Sequence, residues 1–205
     1  MQSNCPHCGR SYRHQLIDTW LIVCENCSRQ TTDVAIEAPA AFIMPADWSR
    51  IQVGTTGKYK NQSFTITGRI RFQMKSDFRN LWCARYGDKT IWIGQSLESI
   101  GFFTPPFTPY PYQFENLRAG LFLEFSDRIK LKCEMIESCY DIRYQGEISE
   151  FPFPNVDVRM IQAGNAAGNT ALIFSNHRGR LHFLWGEIML VYDVSFHNTR
   201  NFLEW

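Results

Sequence analysis

Four of the seven cysteines stand at the spacing of a metal site. Cys5-Pro6-His7-Cys8 and Cys24-Glu25-Asn26-Cys27 are each a C-x-x-C pair, with fifteen residues between Cys8 and Cys24. Two residues between cysteines let a tight turn aim both sulfurs at one ion. Gly9, directly after the first pair, accepts the positive φ that such a turn often requires. Two facing turns make a tetrahedral thiolate site, so Cys5, Cys8, Cys24 and Cys27 are expected to hold one structural zinc ion. A single C-x-x-C would leave dithiol redox chemistry open. Two of them, in a segment too short to hold a core, point to zinc. Four thiolates fill the coordination sphere and leave no position for water or substrate, which predicts a structural role. His7 and His14 lie nearby, but four cysteines already suffice.

The run Tyr12 to Val23 suits two short strands that carry one turn back to the other, which makes residues 1–32 a zinc ribbon. Pro39, Pro45 and the stretch Ala38-Pro39-Ala40-Ala41 mark residues 33–50 as a linker that partly docks, with Trp48 as a packing residue. From Ile51 the pattern is β. Phe64, Ile66, Ile70, Phe72 and Met74 share one parity, while Thr65, Thr67, Arg69, Arg71, Gln73 and Lys75 share the other. This alternation sends the first set to a core and the second to water. Gly68, on the apolar parity, suggests a bulge or a close backbone approach. Further strands are expected at 81–86, 90–93, 121–125, 128–135, 141–148, 156–162, 171–174, 181–185 and 188–196. The best helical candidate is a short turn near Ser96 to Ile100. Residues 51–200 therefore read as one all-β domain, a β-sandwich or barrel-like fold of two related-looking halves. Cys83, Cys133 and Cys139 read as packing residues.

Composition narrows the classes. The formal net charge is +1, charged residues make up 20% and hydrophobic residues 44%, which suits a folded chain and excludes a strongly cationic one. No apolar run approaches the roughly 18 residues of a membrane span. The N-terminus has no apolar signal core, and the odd cysteine count is no disulfide framework, so a cytoplasmic location is expected.

Basic residues gather between Ile51 and Phe103. Arg69, Arg71 and Lys75 share one strand parity, with aromatics interleaved, so they are the candidate anion- or nucleic-acid-binding residues. Catalytic constellations are hard to find. Gly54-Thr55-Thr56-Gly57-Lys58 lacks the spacing of a phosphate loop. Glu147 and Glu150 could be read as a carboxylate pair, but a solvated strand edge explains them better. The Pro-aromatic run Phe102 to Tyr112 suggests an extended strap over the sheet or a docking segment.

Ile51-Gln52-Val53-Gly54-Thr55, Phe64-Thr65-Ile66-Thr67-Gly68-Arg69-Ile70, Trp82, Trp92-Ile93 and Gly146-Glu147-Ile148 resemble the motifs of the Domain of Unknown Function 4178 family over about residues 51–192. The chain departs from that pattern at Ala84, where the family tends to carry an acid. The resemblance implies a soluble bacterial β-rich domain from multi-component systems linked to membrane stress, polyamine metabolism or conflict. The expected function is a non-enzymatic, zinc-containing adaptor or scaffold that binds a protein partner in such a system. The alternative is a nucleic-acid-binding accessory protein using the ribbon and the basic strand face.

Overall fold

Period-two alternation dominates the chain, and strands are what it forms. A computed structural model describes residues 2–32, 44, 47–96, 98–111, 113–126, 129–151, 158–175 and 181–201. Two short hairpins come first: β1 (Gln2–Asn4) with β2 (Ser11–Arg13), and β3 (Thr19–Val23) with β4 (Gln30–Thr32). An antiparallel meander follows, of β5 (Thr56–Tyr59), β6 (Gln62–Gln73), β7 (Phe78–Tyr86), β8 (Lys89–Gln95) and β9 (Ser99–Tyr110). Next come β10 (Phe122–Ser126), β11 (Ile129–Ser138), β12 (Asp141–Ser149), β13 (Arg159–Gly164), β14 (Asn169–Ser175) and β15 (Leu181–Leu190). The last strand, β16 (Phe196–His197), pairs with β5. Beyond two single-turn 3-10 segments there is no helix among the described residues.

β1 and β2 stand as their own sheet. The remaining strands join one 14-stranded sheet in the order β10-β11-β13-β14-β15-β9-β8-β7-β6-β12-β3-β4, with β5 and β16 added beside β6. β11 and β12 are neighbours in the chain but lie far apart in this order. The turn between them ties the flanks together: Cys139 N–H donates to the Val158 carbonyl at 2.8 Å, and Tyr140 N–H to the Gln73 carbonyl at 3.1 Å. The sheet therefore curls on itself around an inner core that includes Phe72, Leu81, Trp92, Phe103, Phe174 and Leu184. Two outer-face cores lie on the other side. One packs Ile51, Phe64, Ile66, Trp82 and Phe102, and the other packs Tyr110, Leu123, Leu131, Ile161 and Ile173. The fold is all-β and barrel-like, as the alternation predicts. Cys83, Cys133 and Cys139 are buried in these cores, as expected.

Gly68 carries both features expected of it. The register of β6 against β7 shifts between Ile66 and Gly68. A Cβ at Gly68 would also stand 2.4 Å from the Glu147 carbonyl of β12. The extra residue has a large consequence, because it moves later side chains of the same parity to the opposite face. Phe64 and Ile66 pack in an outer core, whereas Ile70, Phe72 and Met74 pack in the inner one. Arg69 pairs with Trp82 and so joins the outer face, beneath the segment that leads into Ile51.

Two local expectations are corrected. The Pro-aromatic run is not a strap: its residues up to Tyr110 belong to β9 and pair with β15 from Ser99↔Leu190 to Tyr110↔Leu181. Pairing of β9 with β8 ends at Trp92↔Phe103. Pro105, Pro106 and Pro109 therefore lie where β9 has one strand neighbour, and a residue without an N–H is tolerated there. Near Ser96 to Ile100 there is no helix among the described residues: Ser96 N–H bonds the Ser99 carbonyl at 2.9 Å and β9 begins at Ser99. Of the expected linker, Asp33 to Ile43, Pro45 and Ala46 lie outside the described residues, while Asp47 and Ser49 are buried.

Candidate metal centre

Each of the first two hairpins carries one C-x-x-C pair in its turn, and the two turns repeat one hydrogen-bond pattern. Cys5 N–H bonds the Arg10 carbonyl at 2.8 Å, and Gly9 N–H bonds the Cys5 carbonyl at 2.9 Å. In the second turn Cys24 N–H bonds the Arg29 carbonyl at 2.9 Å, and Ser28 N–H bonds the Cys24 carbonyl at 2.8 Å. Gly9 and Ser28 occupy equivalent left-handed positions, at φ 75° and 56°. Glycine suits that position, and serine carries a modest strain there.

The four sulfurs lie within 4.8 Å of one another. Across the hairpins, Cys5 and Cys27 approach to 3.7 Å and Cys8 and Cys24 to 3.6 Å. A tetrahedron with metal–sulfur bonds of about 2.3 Å has sulfur–sulfur edges of about 3.8 Å, so the donor set fits a four-thiolate metal site. Local donors favour thiolate at Cys8. The Arg10 backbone hydrogen bond, with help from Asn26, draws its thiol down to about 6 against burial. At Cys27 the Arg29 backbone acts the same way, but burial and the neighbouring thiols outweigh it and push that thiol up to about 11. His7 and His14 are not part of the sulfur group. His14 Nε2 instead lies 2.8 Å from Ser3 Oγ.

A buried carboxylate fixes this segment to the large sheet. Glu147 Oε2 accepts the Gln15 N–H at 2.8 Å, while Oε1 accepts the Leu16 N–H at 3.1 Å and the Thr19 hydroxyl at 2.5 Å. The expectation that Glu147 sits on a solvated edge is thus corrected: it is buried, since β3 and its preceding loop cover it. A second tie comes from Thr90 of β8, whose hydroxyl donates to Asp18 at 2.9 Å. β3 also pairs with β12 in the register Glu147↔Ile22 and Ile148↔Leu21, and Leu16, Leu21 and Val23 belong to the inner core.

The candidate anion-binding face is corrected as well. Lys75 is exposed, but Arg69 and Arg71 are buried, with relative exposures of 1% and 5%. Asp47 explains how they are tolerated. Its carboxylate accepts from Arg69 Nη1 at 2.5 Å, from Arg71 Nη2, and from Asn80 Nδ2 at 3.0 Å. Arg200 Nη1 lies 3.4 Å from the other oxygen, which also accepts the Ser49 N–H at 2.9 Å. Arg69 further donates to Gln145 Oε1 at 2.7 Å and lies over the Trp82 ring, and Arg71 lies over the Phe78 ring. Burial draws the Arg69 guanidinium down to about 10, opposed by Asp47. The arginines and Lys75 do not form one wet cationic face. Asp47 carries no signal in the sequence, and Glu147 offers there only the carboxylate-pair reading with Glu150, because the arginines and the loop that these acids hold are distant in the chain.

No helix among the described residues is long and apolar enough to cross a membrane. Compared with family models, curated proteins and solved structures, the chain matches none of them.

Proposed function

We propose that the chain is a zinc-containing, non-catalytic adaptor, in which a metal-braced ribbon presents a docking loop to a protein partner. Zinc suits a closed set of four soft thiolates, because it has no geometric preference of its own and no redox chemistry. When bound, it cross-links two hairpins that are too small to hold their own core. The binding role rests on a single observation. Ile17, at the tip of the loop between β2 and β3, is 84% exposed, while the residues around it are fastened. Gln15, Leu16 and Thr19 are held by Glu147, and Asp18 is held by Thr90. An apolar side chain offered from a loop that is already ordered costs little further entropy when a partner closes over it.

The test compares wild type with Ile17→Asp, each used as affinity bait in cells that produce the protein. A partner recovered by wild type and lost from the Ile17→Asp bait supports the adaptor reading. Identical recoveries overturn the docking loop. Metal analysis of the same preparations should find one zinc ion per chain, and iron in its place would overturn the assignment of the metal.

A further inference from the structure

A groove opens at the rim of the sheet, where the β6–β7 turn, the β8–β9 turn and the end of β15 meet. Asp77 comes from the first turn, Ser96 and Glu98 from the second, and Leu190 closes β15. Trp48 completes the lining from the segment ahead of Ile51. The groove offers about 590 Å³ of room. That falls inside the range of about 300–1,000 Å³ common for ligand sites. Its walls are fastened. Met74 N–H bonds the Asp77 carbonyl at 2.8 Å, and Val191 N–H bonds the Glu98 carbonyl at 3.0 Å. Ser49, beside Trp48, donates its hydroxyl to Gln95 Oε1 at 2.5 Å.

The lining sets apolar surface beside unmatched acid. Trp48 and Leu190 are 41% and 58% exposed, and Tyr192, two residues after Leu190, is 90% exposed. Single exposed apolar residues are ordinary, but Trp48 and Leu190 come from distant parts of the chain and line the same groove. Asp77 and Glu98 are exposed, and neither belongs to an ion pair among the described residues. The cation of the lining, Arg79, is already matched by Glu137 at 3.5 Å. Lys75 is exposed on the Asp77 turn but does not line the groove. The two free carboxylates therefore set the sign of the groove. Such a surface favours a cationic partner, and an exposed indole face adds attraction for a cation.

We propose that this groove docks a basic, apolar segment of a partner protein, with lysine or arginine at Asp77 and Glu98 and a large apolar side chain against Trp48 and Leu190. Walls that are already ordered limit the entropy lost on docking. The groove lies at the Gln95 end of β8, whereas the Ile17 loop is tied through Asp18 to Thr90 near the other end. The two surfaces share no residue, so one chain can hold two proteins at once. The groove does not depend on the metal or on what Ile17 docks.

The test is fluorescence anisotropy of the full, metal-loaded chain with three labelled hexapeptides. One alternates lysine with leucine, one lysine with serine, and one glutamate with leucine. The lysine–leucine peptide is expected to bind at least about tenfold more tightly than either of the others. Its affinity should fall as salt rises, because exposed charges are screened. Asp77→Asn with Glu98→Gln should remove the preference for lysine over glutamate and flatten the salt dependence. Leu190→Ser should remove the preference for leucine over serine. All three positions are exposed, so near-ultraviolet circular dichroism should be unchanged, and should either variant fail to fold, the other locates the site. Three equal affinities, no binding by wild type, or undiminished binding by the folded variants would each overturn the proposal. A dimer of wild type in sedimentation that Leu190→Ser dissolves would put a second copy in the groove and overturn it as well.

Discussion

Asp47 meets Arg69 at 2.5 Å with both side chains buried, and the same carboxylate holds Arg71. One acid thus neutralises part of a buried cationic cluster that the core cannot otherwise tolerate. Removing it leaves charge stranded rather than simply deleting a contact. Asp47→Ala should therefore lower stability by about 3–5 kcal/mol, read from the urea midpoint at constant slope. A change below about 1 kcal/mol would show that the arginines find other partners.

The same geometry reverses the outcome expected from parity for a joint change of Arg69, Arg71 and Lys75 to Ser. Solvent-facing positions would tolerate it. With Asp47 left buried and unpaired, and with the Trp82 and Phe78 rings uncovered, the triple variant should unfold well before wild type. Lys75→Ser alone should melt with wild type, because Lys75 is exposed. Thermal melts of the two variants, compared side by side, check both statements.

Cys24→Ser should abolish metal binding, measured by elemental analysis of the purified chain. Structural zinc in small modules is worth about 10–16 kcal/mol, more than residues 2–32 recover by packing. Amide exchange should then accelerate in β1 to β4 first. Full metal retention by the variant would remove Cys24 from the ligand set.

Glu147→Ala should release the β2–β3 loop without unfolding the sheet. The expected cost is about 1–3 kcal/mol, from backbone donors left without an acceptor. Hydrogen exchange should quicken most at Gln15 and Leu16. For related reasons a chain that begins at Trp48 should be poorly folded. It lacks Asp47, it lacks β3, one of the two strand neighbours of β12, and it uncovers Ile148, which is fully buried in the intact chain. Circular dichroism and aggregation assays of that fragment test the point.

Cys83 gives a pH prediction with a definite sign. Burial pushes its thiol up to about 12, so at pH 8 it is neutral in the folded chain. The thiolate is the form that reacts, so Cys83 should resist iodoacetamide at pH 8 and even at pH 9, and label only when urea unfolds the protein. Labelling of folded protein that rises between pH 8 and pH 9 would place the thiol in an accessible, ordinary environment. Mass spectrometry of the peptide distinguishes the two results.

The candidate metal centre was legible in the chain because a C-x-x-C turn is a local object: its geometry is set by the residues between the sulfurs and by the αL position after them. The strands were legible for a similar reason, since alternation is read over a handful of residues. What Arg69 and Arg71 face was decided elsewhere. Parity assigned them to water, but the extra residue between Ile66 and Gly68 turns the strand over, and a bulge has only a weak sequence signature. Their counter-charge, Asp47, comes from a segment that alternation does not describe. Glu147 likewise becomes a clamp only when the fold brings it to a loop 131 residues earlier. A small cavity within the curled sheet belongs to the same class, for its walls come from β6 to β9 and β13 to β15 and exist only once the sheet has curled. Local spacing determined the elements and the sulfur cluster, whereas the curling of the sheet decided which polar groups are buried and what they hold.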